Sequence, residues 1–326
     1  MHSILVSSAG RRISLLELFQ GAAHSRGWKV IAGDCDALAP SLYLADKAVC
    51  LPRVASEGYI PALFEIVETH SVRLIVPTID TELLVLATNA ERFLSVGCRV
   101  LISSPDFIAI CRDKLNMAAH FSQRGIATPA AWLPSDLAGA ALPKRLFIKP
   151  RDGSASVHTY RVDRENLAEI LPLVPNPMIQ EELQGTEITI DALIDFDGTP
   201  LHYVPRVRLR TMAGESIQGR TIPDLEISHW LIECLTIAAQ MGARGAITLQ
   251  AFLTLNGPIL TEINPRFGGG FPLGHAAGAH YPEWILQLLE KRTLQPRLGD
   301  YSPNVYMTRY YREHFFTAPL WEAVSQ

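Results

Sequence analysis

The chain has 326 residues, a formal net charge of −4, 48% hydrophobic and 19% charged residues. At roughly 150 residues per domain, that is a length for about two domains with real cores, and the mild acidity excludes a nucleic-acid binder that works through a broad basic surface. Ordinary glycine and proline content and the lack of an apolar run of about 18 residues exclude disordered, fibrous and membrane-spanning classes.

The N-terminus, Met-His-Ser-Ile-Leu-Val, lacks the basic and apolar regions of a signal peptide. The cysteines Cys35, Cys50, Cys98, Cys111 and Cys234 are scattered, with no Cys-x-x-Cys pair. Reduced thiols in a cytoplasmic protein are the expectation, without a zinc knuckle or disulfide framework.

Ile4-Leu5-Val6 reads as a buried strand, followed by the turn Ser7-Ser8-Ala9-Gly10-Arg11-Arg12 and a helix with Ile13, Leu16, Leu18 and Phe19 on its apolar stripe. Lys29-Val30-Ile31-Ala32 is the next strand and ends at Asp34. Residues 59–70 and 80–95 have helical period, and each precedes an apolar run, Leu74-Ile75-Val76 and Val100-Leu101-Ile102. Strands alternating with helices predict a parallel sheet covered on both faces, whose ligands sit at the carboxyl ends of the strands.

The texture changes near residue 113. A helix from Lys114 to Gln123 stops at Gly125, and 129–143 is loop-rich. Strand Leu146 to Pro150, the small-residue turn Asp152-Gly153-Ser154-Ala155-Ser156, helix 164–171 and strand Met178-Ile179-Gln180 make a small α+β unit. The remainder is strand-rich, with a long alternating strand Glu187 to Ile194, hairpin turns at Asp197-Gly198 and Asn256-Gly257, and a helix at 226–241 between them.

Four stretches carry candidate chemistry. The turn at Gly10 offers three readings: a dinucleotide site with Asp34 as ribose acid, a plain tight turn, or a substrate site where Arg11 and Arg12 fork onto a carboxylate or phosphate. The lack of Gly-x-Gly-x-x-Gly weighs against the first. Lys149, at a strand end, suits phosphate neutralisation, with Gly153, Ser154, Ala155 and Ser156 small enough to close over phosphates; a solvated lysine beside an ordinary turn is the plainer alternative. Around Glu181, Glu182 and Leu183 the backbone offers an N–H and a C=O to a planar base edge, and Glu187 suits ribose hydroxyls; a solvated acidic connection is the plainer alternative. The strongest signal is Gln250 with Glu262-Ile263-Asn264-Pro265-Arg266-Phe267-Gly268-Gly269-Gly270. Glu262 and Asn264 share a strand face, and Gln250 lies at similar depth on the partner strand of the Asn-Gly hairpin. These hard oxygens suit Mg²⁺, Arg266 suits phosphate oxygens, and the glycines allow close backbone approach. The ten histidines show no metal-ligand spacing.

In this order the motifs resemble the ATP-grasp superfamily, over nearly the whole chain, and in particular single-copy proteins similar to carbamoyl-phosphate synthase large subunits. The Ser-Ala-Gly-Arg-Arg turn, Asp113-Lys114, Lys149-Pro150, Gly153 to Ser156 and Asn264 to Gly270 carry the resemblance. It implies a Rossmann-like parallel-sheet domain at 1–112, a small ATP-grasp lid lobe at 113–182 and a catalytic lobe at 183–326. It implies that Lys114 and Lys149 bind ATP phosphates under a loop of Gly153, Ser154, Ala155 and Ser156. Glu181, Glu182 and Leu183 would form the adenine hinge, Glu187 would take the ribose, and Gln250, Glu262 and Asn264 would hold Mg²⁺ or Mn²⁺. Arg266 would stabilise the transferring phosphoryl group, with Lys149 as its catalytic partner. Arg206, Arg208 and Arg210 alternate onto one strand face; the resemblance puts Arg208 near the nucleotide, and Arg11, Arg206, Arg210, Gly268, Gly269 and Gly270 near substrate.

The implied activity is ATP-dependent activation of a carboxylate as an acyl phosphate, displaced by an amine or another nucleophile, in a protein that forms homodimers. One ATP-grasp copy and no glutaminase region separate the chain from carbamoyl-phosphate synthase itself. A nucleotide-binding regulator and a nicotinamide-dependent oxidoreductase are the competing readings; the set Gln250, Glu262, Asn264 and Arg266 opposes the first, and the missing glycine fingerprint opposes the second.

Overall fold

A computed structural model describes residues 2–153, 157–212, 214–223 and 227–318, with the backbone of 322–323. The first part runs β1 (Ser3–Ser7), α1 (Ile13–His24), β2 (Lys29–Asp34), β3 (Lys47–Cys50), α2 (Tyr59–His70), β4 (Val72–Pro77), α3 (Asp80–Thr88), α4 (Ala90–Ser95) and β5 (Arg99–Val100). Helices α5 (Pro105–Arg112) and α6 (Lys114–Ser122) follow, then β6 (Ala131–Trp132), β7 (Arg145–Pro150), β8 (Tyr160–Asp163), α7 (Leu167–Ile170) and β9 (Pro177–Glu181). The last part holds β10 (Thr186–Ile194), β11 (Pro200–Met212), β12 (Glu215–Thr221), α8 (Ser228–Gln240), β13 (Gly245–Thr254), β14 (Gly257–Asn264), α9 (Phe271–Ala276), α10 (Tyr281–Leu289), β15 (Tyr306–Thr308) and β16 (Glu322–Ala323).

Three sheets result. The first is parallel, in the order β16-β3-β2-β1-β4-β5. β1 is buried along its length, as a strand covered on both faces must be. The second is a small antiparallel sheet, β6-β9-β7-β8, and the third a large antiparallel one, β14-β13-β10-β11-β12-β15. The predicted α/β and α+β composition is therefore what the chain builds.

Some boundaries differ from those the pattern predicts. The helical stretch 80–95 divides at Asn89, whose side-chain amide donates to the Val85 carbonyl and stops α3. The stretch 164–171 holds one α turn between 3₁₀ turns, the second of which contains Pro172. The strand predicted over 100–102 pairs only at Arg99–Val100, although the Leu101 N–H still donates to Ile75. No described helix is long and apolar enough to cross a membrane, and all five cysteines carry free thiols.

The cores show how the parts are joined. Leu15, Leu16 and Phe19 of α1 share a core with Phe267, Phe271, Tyr281 and Leu286, so the parallel-sheet layer and the end of the chain are one packed body. Phe19 meets Phe267 edge to face at 5.8 Å. Arg26, at the end of α1, clamps α10 by two 2.7 Å bonds to Glu283 and one to Glu290. Behind the large sheet, Ile188, Ile190 and Leu249 pack on Leu231 and Leu235 of α8 and on Phe107, Met117 and Phe121 of α5–α6. The small sheet has its own core, built on Leu146, Ile148, Val162 and Ile179.

A buried carboxylate fixes the loop after β4. Glu82 accepts from the Tyr59 hydroxyl at 2.7 Å, the Thr78 and Ile79 N–H groups at 2.7 and 3.1 Å, and the Ser8 hydroxyl at 3.0 Å. Burial raises the Glu82 carboxyl, and the donors oppose that rise. Glu82→Ala leaves enclosed donors without an acceptor and is expected to cost about 3 kcal/mol, read as a lowered urea midpoint at unchanged slope. A midpoint equal to that of wild type contradicts this account of the loop.

Candidate active site

The large sheet has two unlike faces because its strands alternate. Ile188, Ile190 and Ala192 of β10 enter the rear core, which turns Glu187, Thr189 and Asp191 to the front. The register extends that front face sideways. Thr189 lies opposite Gln250 on one side and Arg206 on the other; Gln250 lies opposite Glu262, and Thr248 opposite Asn264. The equal depth expected of Gln250 and Glu262 is direct cross-strand pairing.

This face forms the floor of a cleft of about 1000 Å³. The ends of β1 and β4 supply one wall, through Arg11, Arg12, Thr78 and Asp80. The small sheet supplies another, through Phe147, Lys149, Gln180 and Leu183. Ligand space thus opens at the carboxyl ends of the parallel strands, as the strand–helix alternation predicts. Its volume is at the upper end for small-molecule sites and has room for two reactants.

Lys149 is only 7% exposed. Burial lowers its ammonium to about 8; Lys114 adds to that decrease, and Glu262 and Glu187 oppose it. Its ammonium makes no hydrogen bond or ion pair among the described residues. Lys114 donates to the Gly153 carbonyl and, at 3.5 Å, to that of Arg151. Asp113 caps α6 through the Leu115 and Asn116 N–H groups and also pairs with Arg151, which ties the helix to the chain just before residue 154. Ser154, Ala155 and Ser156 lie outside the described residues.

At the proposed hinge the side chains separate. Glu182 and Leu183 line the cleft. The Glu181 side chain turns away and accepts from the Ala130 N–H at 2.8 Å, while its own N–H donates to the Ala130 carbonyl. The Glu181 N–H and carboxylate are therefore used within the fold. Glu187 pairs with Arg208 across the floor.

Glu262 accepts from the Asn264 amide at 3.0 Å, and Asn264 accepts from Arg266 at 3.3 Å. Arg266 also reaches Asp80 at 2.8 Å and so joins the large sheet to the parallel-sheet wall. No group of three or more His, Cys, Asp or Glu able to hold a metal exists among the described residues. One carboxylate with two amide oxygens fits a Mg²⁺ ion that takes its other oxygens from water and a bound phosphate. Among the described residues, Thr189 Oγ1, Arg206 Nη1, Arg208 Nε and Arg266 Nε, all of cleft residues, are enclosed and find no partner. Such a set suits a polyanionic ligand.

The three arginines of β11 have different environments. Arg206, expected to be a substrate arm, is 2% exposed and bonded through Nε to Asp191 at 2.8 Å. It is held within the sheet, with only Nη1 unpartnered. Arg208 is partly buried, and Arg210, beyond a break in register, lines the cleft as an exposed residue. Gly268 and Gly270 seat the loop on this floor: a Cβ on Gly268 would lie 2.9 Å from Thr248 Oγ1, and one on Gly270 would collide with the Arg206 guanidinium.

Other cleft residues were not singled out from sequence. Thr78, Asp80 and Glu215 line the cleft from a loop and a strand end, and Arg309 joins them through its pair with Glu215; position just after an apolar strand is the one signal for Thr78 and Asp80. Asp34, one reading of which was a ribose acid, accepts from the Gly10 and Asp36 N–H groups at 2.7 and 2.9 Å and closes the β1–α1 turn instead.

Comparison with known proteins agrees with this architecture. Residues 4–101 match the family model of the PylC-like N-terminal domain, and residues 174–307 that of an ATP-grasp domain in the biosynthetic pathway with the Ter operon. No curated protein matches the sequence. Among solved structures, the biotin carboxylase domain dimer of Hydrogenobacter thermophilus 2-oxoglutarate carboxylase, in complex with MgADP, ADP and bicarbonate, superposes with a TM-score of 0.74 at 15% identity. The match covers 93% of this chain and 73% of that one. The L-amino acid ligase of Bacillus licheniformis gives 0.68 at 20% identity over 89% and 74% of the two chains. N5-carboxyaminoimidazole ribonucleotide synthetase of Thermus thermophilus gives 0.69 at 16% identity over 93% and 81%. The chain therefore has the ATP-grasp fold behind a PylC-like N-terminal domain.

The Arg206–Asp191 pair generates a stability prediction. Asp191→Ala leaves a buried guanidinium without its counter-ion, which is expected to cost about 3–5 kcal/mol in chemical denaturation. A cost under about 1 kcal/mol would show that Arg206 finds another anion.

Proposed function

We propose that this ATP-grasp chain is an ATP- and Mg²⁺-dependent ligase that activates a carboxylate as an acyl phosphate for attack by a nucleophile, an amine in the first instance and a thiol as the finer alternative. The observation that carries the reading is the convergence of buried Lys149 with Gln250, Glu262, Asn264 and Arg266 on one cleft. Asp34 supports the ligase over the oxidoreductase, because both its oxygens are taken by the turn.

In this reading the boundaries are 1–112, 113–182 and 183–326. ATP lies between the small sheet and the large one. The backbone near Glu181 and Leu183 meets the base, with Glu182 beside it; Glu187 meets the ribose. Lys114, Lys149 and Arg208, with residues 153–156, neutralise phosphate charge. Glu262, Asn264 and Gln250 hold Mg²⁺, whose role is to draw charge from phosphate oxygens. The small-molecule substrates take the side of Arg11, Arg206, Arg210, Gly268, Gly269 and Gly270. Homodimer formation belongs to the same reading.

The chemistry balances. A substrate carboxylate oxygen attacks the γ-phosphorus, the bond to the β–γ bridging oxygen breaks, and ADP leaves with that electron pair. The nucleophile then attacks the acyl carbon, phosphate leaves with the C–O pair, and an amine gives up one proton. Phosphoryl transfer of this kind needs positioning and charge neutralisation more than covalent help. Arg266, held by Asn264 and Asp80, is placed to receive charge from the transferring group.

Screening acids against amines and thiols by ADP and phosphate release, with mass spectrometry of the product, tests the proposal; no release with any pair, despite ATP binding, would leave a nucleotide-binding regulator. With an active pair, Glu262→Ala is expected to lower kcat by about 100-fold or more. Undiminished turnover in that variant removes Glu262 from the metal site.

Lys149 gives a pH prediction. Below about pH 8 its ammonium is already protonated and meets phosphate at no protonation cost. Above that pH, up to the ordinary lysine range, ATP binding must take up a proton, so affinity falls by as much as about tenfold per unit. Calorimetry in buffers of different ionisation enthalpy reads the uptake, and Lys149→Arg is expected to abolish it. Equal proton uptake in that variant assigns the titration elsewhere.

A further inference from the structure

The far end of the cleft carries an imbalance of charge. Arg12, Arg266 and Arg309 lie close enough to influence one another, and Asp80 and Glu215 are the acids among them. The acids are taken: Asp80 pairs with Arg266 at 2.8 Å and Glu215 with Arg309 at 3.4 Å. Arg12 is left over. Among the described residues its side chain forms no ion pair, and its one hydrogen bond from the guanidinium is a 3.4 Å contact to the Thr78 carbonyl. Burial lowers its guanidinium to about 10; Arg266 and Arg309 add to that decrease, and Glu215 and Asp80 oppose it.

A half-buried arginine with no carboxylate bound to it keeps donors free for an anion. Arg12 lines the cleft together with Gly269. Arg12 precedes the first turn of the 12-residue helix α1, which has no acidic residue in that turn and no side-chain cap. Gly269 lies close against this side chain: a Cβ there would stand 3.4 Å from Arg12 Nη1 and 3.8 Å from Glu215 Cγ. The Gly269 carbonyl is held by Arg309. Arg266 faces the other way, toward Asn264 and the proposed phosphoryl-transfer point.

We infer that the substrate side of this cleft recognises an acid with a second anionic group, a carboxylate or a phosphate, bound by Arg12 beside Gly269. The inference rests on the ligase reading for its reacting carboxylate. Arg12 itself does not touch the reacting atoms; it sets which acid is accepted and where its carboxylate lies. A fork-shaped guanidinium can bind either group through two parallel N–H bonds.

The test compares acetate, succinate and 3-phosphoglycerate as acids, by ADP release at saturating ATP with a panel of amines. It uses the full chain and its Arg12→Met and Arg12→Lys variants. A substrate with two anionic groups should exceed acetate in kcat/KM by about 100-fold or more. Arg12→Met should remove most of that preference through KM, with ATP affinity unchanged, and Arg12→Lys should restore part of it. Preference for succinate over 3-phosphoglycerate, or the reverse, identifies the second group. Acetate used as well as the best diacid, or a preference unaltered in Arg12→Met, overturns the inference and leaves the ligase intact. If no acid supports ADP release, the ligase reading fails, and thermal shift with inorganic phosphate and succinate decides the pocket alone. Binding about tenfold weaker in Arg12→Met sustains it, and equal binding overturns it. Should Arg12→Met not fold, the Arg12→Lys comparison serves in both assays.

Discussion

The strand alternation of the large sheet is the constraint from which the cleft follows. One set of positions, Ile188, Ile190, Leu249 and Ile263, must be apolar to bury the sheet against α5, α6 and α8. The intervening positions are then released from packing and can carry Glu187, Thr189, Asp191, Gln250, Glu262 and Asn264. A one-residue slip of any strand would exchange the two sets. The polar floor is therefore specified by the same hydrophobic pattern that holds the sheet together, and needs no separate folding instruction. Where the register does slip, after Arg208, the row ends and Arg210 is exposed.

On that floor, charges are arranged so that most of them cancel before any ligand arrives. Arg206 is closed by Asp191, Arg208 by Glu187, and Arg266 by Asp80. Among the described residues, Lys149 at one end and Arg12 at the other are not closed in this way, and both are lowered from their ordinary values by burial. The paired residues give the cleft its shape; the unpaired ones mark where incoming negative charge has most to gain. Buried pairs contribute little net stability, so their value here lies in fixing geometry.

Much of this was legible in the sequence, for reasons that can be named. β14 and its glycines concentrate an acid, an amide and an arginine in a few positions, and the Asn-Gly turn sets their register against Gln250. The period-2 pattern of β10 and the strand–helix alternation of the first part are equally local. What could not be read were contacts between distant segments. Arg206 looked like a free substrate arm because its partner, Asp191, is 15 positions away on a neighbouring strand. Asp34 resembled a ribose acid until the turn at Gly10 was seen to use it. Glu181 sits in an acidic run that gives no sign of which side chain turns toward Ala130. Arg12 carried no more signal than Arg11, since only the fold shows which one lies among Arg266, Glu215 and Arg309.

The two walls are not held equally. The parallel-sheet wall is joined to the floor by the core of Phe19, Phe267, Phe271 and Tyr281, by the Arg26 clamp and by the Asp80–Arg266 pair. Moving it would expose a continuous apolar interface, so the Arg12 end has a fixed geometry. The small sheet has a core that contains no residue of either other sheet. Its ties to the rest are polar, among them Asp113–Arg151 and Lys114–Gly153. Polar ties of this kind contribute only about 1 kcal/mol each. The cleft thus combines a rigid end, suited to discriminating one acid from another, with an end at Lys149 where the enclosing wall can move at low cost. In the proposed ligase, admitting a nucleotide and then excluding water from an acyl phosphate would draw on that asymmetry.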